Sequence, residues 1–291
     1  MFKKYLLLLL FIAPLIMHAQ YGSFSKEVIA TFKTNGLSVV LDNGKTEYND
    51  YIRQVMEKSW NTNKVDFISM EDFKLAQYET ERSFLVKIKK SDAQKHEATF
   101  LTIVNGWKKK KGNEASVYGT SVKNVPVDHE VAYLMINADK MEQNQEGPKL
   151  WLYIKCLTSY IESAEQGIIT DKATADRLYS SRTRQIHEME LVLTENDLDA
   201  NVRSKEKVEE FYTKPYHLMK QEDIWTAIES EDGNLAIVDV IFTGEYKNRH
   251  CFKTIYNART GEILYMSDDA SLHGKKQGLI EDDLKRLERA R

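Results

Sequence analysis

The sequence predicts a mixed α/β protein (α+β in content): two similar β-α-β-α-β-β modules joined by a helical pair and closed by a C-terminal helix. Three observations predict it. The chain repeats itself, since FLTIVN at Phe100 to Asn105 returns as FKTIYN at Phe252 to Asn257. Glu71-Asp72 with Ala76 returns as Glu222-Asp223 with Ala227, Val40-Leu41 as Val192-Leu193, and Asn49 and Glu57 as Asn201 and Glu209. These pairs are colinear at an offset of about 151 to 152 residues, a period far beyond that of solenoid units. Identity across the paired stretches is about one position in six, so chance likeness of short apolar strands is the competing account. Apolar residues also alternate between strand and helix periods, and turn and cap signals separate the runs.

The elements follow in order. Tyr21 to Asn35 reads as a polar lead. Leu37 to Leu41 is a β run, and Asp42-Asn43-Gly44 is a turn signal. Tyr48, Tyr51, Ile52, Val55, Met56 and Trp60 recur at helical spacing. Val65 to Ile68 is the next strand. Ser69 with Asp72 is a capping box that opens a short helix through Ala76. Ser83 to Ile88 and Thr99 to Val104 complete the first module. In the second, Leu191 to Leu193, a helix capped by Ser204, Tyr216 to Met219, Glu222 to Glu229, Leu235 to Phe242 and His250 to Asn257 follow the same order. There a hairpin adds Glu262 to Met266. Between the modules, Leu150, Ile154, Leu157, Ile161 and Ala164 form an apolar stripe, and a second helix starts at Thr170. Leu279 to Arg291 is the last helix, acidic in its first turn and basic in its last, as the helix dipole favours. The expected boundaries are 1–19 for a signal peptide, 20–145 and 189–291 for the modules, and 146–188 for the helical connector.

Lys3 and Lys4, an apolar run from Tyr5 to Met17 and the small residue Ala19 have the layout of a cleavable secretory signal. The run of about 13 residues is short of the roughly 20 that a membrane span needs. The expectation is a periplasmic or secreted protein that is not integral to the membrane after cleavage. With no cysteine near the cut, it is not a lipoprotein. Removing the two lysines takes the formal charge from −3 to −5, which disfavours nucleic acid as a partner. The one strong basic run, Lys108 to Lys111, reads as a solvated loop tip, with contact to an anionic surface as the alternative. Cys156 and Cys251 are either a disulfide or two buried thiols. A bridge would close a loop of about 95 residues and stabilise by roughly 4–5 kcal/mol if unstrained.

The familiar catalytic patterns are missing: no His-Glu-x-x-His, no Gly-x-Ser-x-Gly and no phosphate-cradling Gly-rich loop. Neither a catalytic residue, a metal nor a cofactor is implied. Asp197, Asp199 and Asn201 imitate a calcium loop, but Val202 and Val208 stand where it needs Gly and Glu. His129 between Asp128 and Glu130 reads as a loop residue rather than an acid/base group. Glu71-Asp72 and Glu222-Asp223 read as first-turn helix acids. Among the tryptophans, Trp60 and Trp225 belong to the core, Trp107 is expected to be exposed beside the lysines, and Trp151 is expected at the seam between modules. If a small ligand sits at the carboxyl ends of strands, as in α/β units, then Asp42, Asn43, Glu195 and Asn196 lie near it, with Trp107 and Trp151 as contact candidates.

Val39 to Leu41, the helix ending at Trp60, and Phe67-Ile68-Ser69-Met70-Glu71-Asp72 give the order strand, helix, strand, capped helix. This resembles a module of bacterial envelope-assembly proteins, including the N-terminal domain of TolB-like proteins, over about forty residues in each copy. The whole chain resembles uncharacterised secreted proteins of Gram-negative bacteria. The resemblance implies binding and assembly without catalysis, and with no channel or propeller segment following, neither is carried over. The expected function is non-catalytic binding of a protein or cell-envelope component. The alternatives are a small-ligand binder with its site between the modules and a hydrolase of an unfamiliar class.

Overall fold

The computed structural model describes residues 20–91, 97–143, 145–230, 234–244, 249–271 and 275–291. The expected signal peptide lies outside the described residues. The first half runs β1 (Gln20–Gly22), α1 (Lys26–Thr34), β2 (Gly36–Val40), α2 (Glu47–Ser59), β3 (Val65–Ile68), α3 (Met70–Ala76), β4 (Arg82–Ser91), β5 (Glu97–Asn105), the small hairpin β6 (Ser116–Tyr118) and β7 (Ser121–Lys123), and β8 (Glu130–Ile136). Three helices follow: α4 (Ala138–Glu142), α5 (Lys149–Glu165) and α6 (Lys172–Arg182). The second half runs β9 (Glu190–Leu193), α7 (Lys205–Glu209), β10 (Tyr216–Leu218), α8 (Gln221–Glu229), β11 (Leu235–Thr243), β12 (His250–Asn257), β13 (Ile263–Ala270) and α9 (Glu281–Arg289).

The two sheets are the same sheet built twice. The first has the order β1-β8-β5-β4-β2-β3 and the second β13-β12-β11-β9-β10. Laid side by side, β8, β5, β4, β2 and β3 correspond to β13, β12, β11, β9 and β10. Along these five corresponding strands the first βαβ pair and its neighbour are parallel and the other pairings antiparallel, and the first sheet adds β1 at one edge and the β6-β7 hairpin, whose β7 pairs with β4 in parallel. A finer detail coincides as well. In the first sheet Ile103 faces Ala132 while Val104 faces Glu130, so Val131 is an extra residue. In the second, Ile255 faces Tyr265 while Tyr256 faces Ile263, so Leu264 is the extra residue. Each bulge falls at the same place in the repeated phrase, after the Ile of FLTIVN and of FKTIYN. Bulges are specific local features of a strand pair, so this match supports duplication far better than the few shared letters do.

Local chemistry explains the elements. Thr46 caps α2 by accepting from the Asn49 amide at 3.2 Å, and Tyr48, Ile52, Val55 and Met56 are its buried stripe. Ser69 and Asp72 form the reciprocal capping box that opens α3. The polar lead expected at 21–35 contains a strand and a helix instead. Ser25 caps α1, and Ile29 and Phe32, buried at helical spacing, dock it. The third antiparallel strand predicted only for the second half is present in the first as β8, whose buried EVAYLMI run continues the sheet.

Each sheet has two apolar faces. Leu37, Val39, Leu85 and Ile103 on one face of the first sheet share a single core with Val192, Ile237 and Tyr256 of the second. Phe84, Val86 and Val104 on the other face pack against Phe73 of α3. On the second sheet, Leu191, Leu193, Val238 and Ile255 pack with Val208 of α7 and with Leu284 and Leu287 of α9. The 13 residues of α2 are answered by only 5 in α7, and α9 covers the apolar area that the shorter helix leaves. The shared core is threaded by α5. Its predicted stripe is buried, but so are Tyr153, Cys156 and Tyr160, so the helix is enclosed on nearly every side. Phe100 and Phe252, which open the repeated phrase in each half, meet in one further apolar cluster with Met135 and Ile241.

Candidate functional site

A groove of about 810 Å³ opens where the halves meet, lined by Lys45, Thr46, Glu47 and Asp50 around the start of α2, by Tyr51, Gln54 and Lys58, by Trp151 of α5 and by Glu229 of α8. Each side chain is placed by an element already described. Tyr51 is half-buried on α2 and its hydroxyl donates to Glu229 Oε1 at 2.9 Å, a hydrogen bond from the first half to the second. Burial, then this carboxylate, push the Tyr51 phenol up to about 12. Trp151 is buried, with the Lys58 ammonium 5.4 Å from its ring centroid, a distance at which the ring attracts a cation. Burial raises the Glu47 carboxyl, partly offset by a hydrogen bond from the Gly147 backbone. The lining therefore offers donors and acceptors of both charges around an aromatic floor, which suits binding a polar ligand by hydrogen bonds.

Beside Trp151 in sequence, a buried ionic cluster ties the central helix to the second sheet. The Lys149 ammonium lies 2.6 Å from Asp239 Oδ1 and 2.9 Å from Glu146 Oε1. Tyr153 donates to Asp239 Oδ2 at 2.9 Å. Burial works against the charge on Lys149, but the Asp239 and Glu146 carboxylates outweigh it and hold the ammonium above the ordinary lysine range.

The predicted site residues are dispersed. Asp42 does stand just past the carboxyl end of β2, but it is buried and paired with Lys87 at 2.6 Å, and its backbone is clasped by the Asn49 amide at 2.8 and 3.0 Å. It is a strut inside the first half rather than a ligand-facing group. Asn43 is exposed in the following turn, and Glu195 and Asn196 are exposed in the turn after β9. None of the four lines the seam groove. Trp107 is fully buried where exposure was expected, because its ring packs into the core beneath α3 and its indole N–H donates to the Asn113 carbonyl at 2.8 Å. Trp151 lines the groove together with residues of α2 and Glu229 of α8.

Cys156 and Cys251 are free thiols, one in the shared core and the other under α9, so the bridge is replaced by its alternative. The calcium-like acids are turned toward the protein: Asp197 accepts from the Thr194 amide, and Asp199 accepts from the Asn201 and Gln277 amides. Among the described residues no three His, Cys, Asp or Glu side chains gather where they could hold a metal, and no helix is long and apolar enough to cross a membrane. Sequence reasoning passed over Tyr51, Lys58 and Glu229. Tyr51 had been counted on the apolar face of its helix and Glu229 as a helix end, and only the seam makes them neighbours.

No family model matches this chain, no curated protein matches it, and no solved structure matches it.

Proposed function

We propose that this is an exported, non-catalytic binding protein that holds a protein or cell-envelope component at the groove between its two halves. One observation carries the reading: the groove is walled by both halves, with Tyr51 on one side bonded to Glu229 on the other. Clefts between similar units are common ligand sites, and a ligand there would touch both halves at once. The periplasmic or secreted location rests on the basic, apolar and small-residue order of positions 3–19.

The test is site-specific photocrosslinking in cells, with the crosslinker at Gln54, followed by separation of periplasm, membrane and medium. A reproducible envelope protein attached at Gln54, lost on Tyr51→Ala, is the expected result. Crosslinking that is indifferent to position, or a chain that stays in the cytosol, would overturn the reading. The polar lining favours a second reading, a small polar ligand in the same groove. A melting-temperature rise with one metabolite or sugar, abolished by the same substitution, would select it.

A further inference from the structure

The loop between β5 and β6 carries four consecutive lysines, Lys108 to Lys111, and the fold fixes it from several sides. Trp107 beneath it donates its backbone N–H to the Gln77 carbonyl at 3.1 Å and its indole N–H to the Asn113 carbonyl at 2.8 Å. The Gln77 side chain accepts from the Ala115 amide at 2.9 Å. Asn113 staples the tip: its Oδ1 accepts from the Lys110 amide at 2.8 Å and its Nδ2 donates to the Lys108 carbonyl at 2.9 Å. Gly112 supplies the left-handed turn, with φ +87°. Lys109 lies 5.1 Å from the Tyr78 ring centroid. Lys108, Lys110 and Asn113 wall a groove of about 510 Å³, with Asp128 and His129 among its other lining residues.

Adjacent like charges repel, and a solvated tip relieves that by staying loose. Here side-chain staples and a buried indole hold the lysines in place. Among the described residues Lys108, Lys110 and Lys111 form no ion pair, whereas Lys89, Lys90 and Lys123 each have a carboxylate. Glu27 and Asp128 also line the groove and Glu114 is exposed on the loop, so the local excess is one positive charge on a chain that is negative overall. We propose that this loop and its groove bind a phosphate group through Lys108 and Lys110, with the Asn113 staple fixing their spacing. Lysines act as point-charge phosphate ligands. An anion would supply the counter-charge that the tip lacks. The same chemistry is presented by a soluble phosphate compound and by a lipid headgroup.

Two titrations of the purified protein separate these sources: pyrophosphate followed by calorimetry, and cosedimentation with vesicles of phosphatidylglycerol in phosphatidylcholine. Binding to pyrophosphate identifies a soluble ligand, and binding to the anionic vesicles alone identifies a headgroup. In either case added salt weakens it. K108Q/K110Q should lower affinity about tenfold or more, while K205Q/K207Q on α7 leaves it unchanged. N113A keeps every charge and frees the tip, so it should also weaken binding. An N113A protein of full affinity would overturn the built site, as would binding to neither probe or equal loss in K205Q/K207Q. Circular dichroism of each variant shows that it is folded.

Discussion

Lys149, the first residue of the central helix, and Asp239, in the middle strand of the second sheet, are 2.6 Å apart with both side chains buried. Tyr153, one turn along the same helix, holds the other carboxylate oxygen. Removing one partner of such a pair strands a charge in a low-dielectric interior and costs about 3–5 kcal/mol, while replacing both with apolar residues is far milder. Lys149→Met should therefore lose stability of that order in urea unfolding, because it leaves buried Asp239 with Tyr153 and buried Glu146 with Lys140, and Lys149→Met combined with Asp239→Leu and Glu146→Gln should recover much of it. A single variant within about 1 kcal/mol of the parent would show that the cluster is not what seats α5.

The C-terminal helix is held by a second buried cluster. Asp283 accepts from the Ile280 amide at 3.0 Å, from Tyr265 at 2.6 Å and from Lys253 at 2.5 Å, and the Lys253 side chain is fully buried. Asp283→Asn keeps the shape but leaves the ammonium with Asp269 alone. Hydrogen exchange should then speed up across α9 and the adjacent end of β13, with little change in β4 and β5. Unaltered protection of α9 would contradict this.

Acid stability should carry a recognisable signature from Glu97. Hydrogen bonds from Lys123 and Lys89 lower its carboxyl from 4.5 to about 2. A depressed folded-state value means that the unfolded chain binds the proton first as pH falls. Its contribution is therefore complete above about pH 4.5 and is lost on descending toward pH 2. Glu97→Gln should remove that contribution at neutral pH, a small loss because the pair is partly exposed, and the two proteins should converge in stability as pH falls toward 2. An unchanged acid limb in the variant would count against the assignment.

The thiols give a direct chemical readout. Burial pushes Cys251 up to about 11, and Cys156 is also buried. Iodoacetamide at pH 8 should label neither in the folded protein and both in urea, without reductant. Labelling that requires a reductant would mean a disulfide.

Much of this fold is legible in the letters because strands and capped helices are local events. Ser69 with Asp72 announces α3, and the spacing of Tyr48, Ile52, Val55 and Met56 announces the face of α2. The misses share a different cause. Helix α1 was overlooked because Lys26, Glu27 and Lys33 outweigh its two buried residues in a reading by composition. Strand β8 follows a proline-led turn, and its place in the sheet is set by β5, which no local pattern reveals. The candidate site was the least legible. Asp42 looked like a ligand group because it ends a strand, and only Lys87, 45 residues away, shows that its charge is already used. Trp107 looked exposed because lysines follow it, yet its ring supports them from below.

The central helix sets the terms on which the duplicated halves coexist. Because α5 gives one flank to α1, α2 and β8 and another to α8, neither copy can keep its interior dry without a helix that the other also needs. A cut anywhere between the copies would orphan one interior, and the molecule should melt in a single transition despite being written twice.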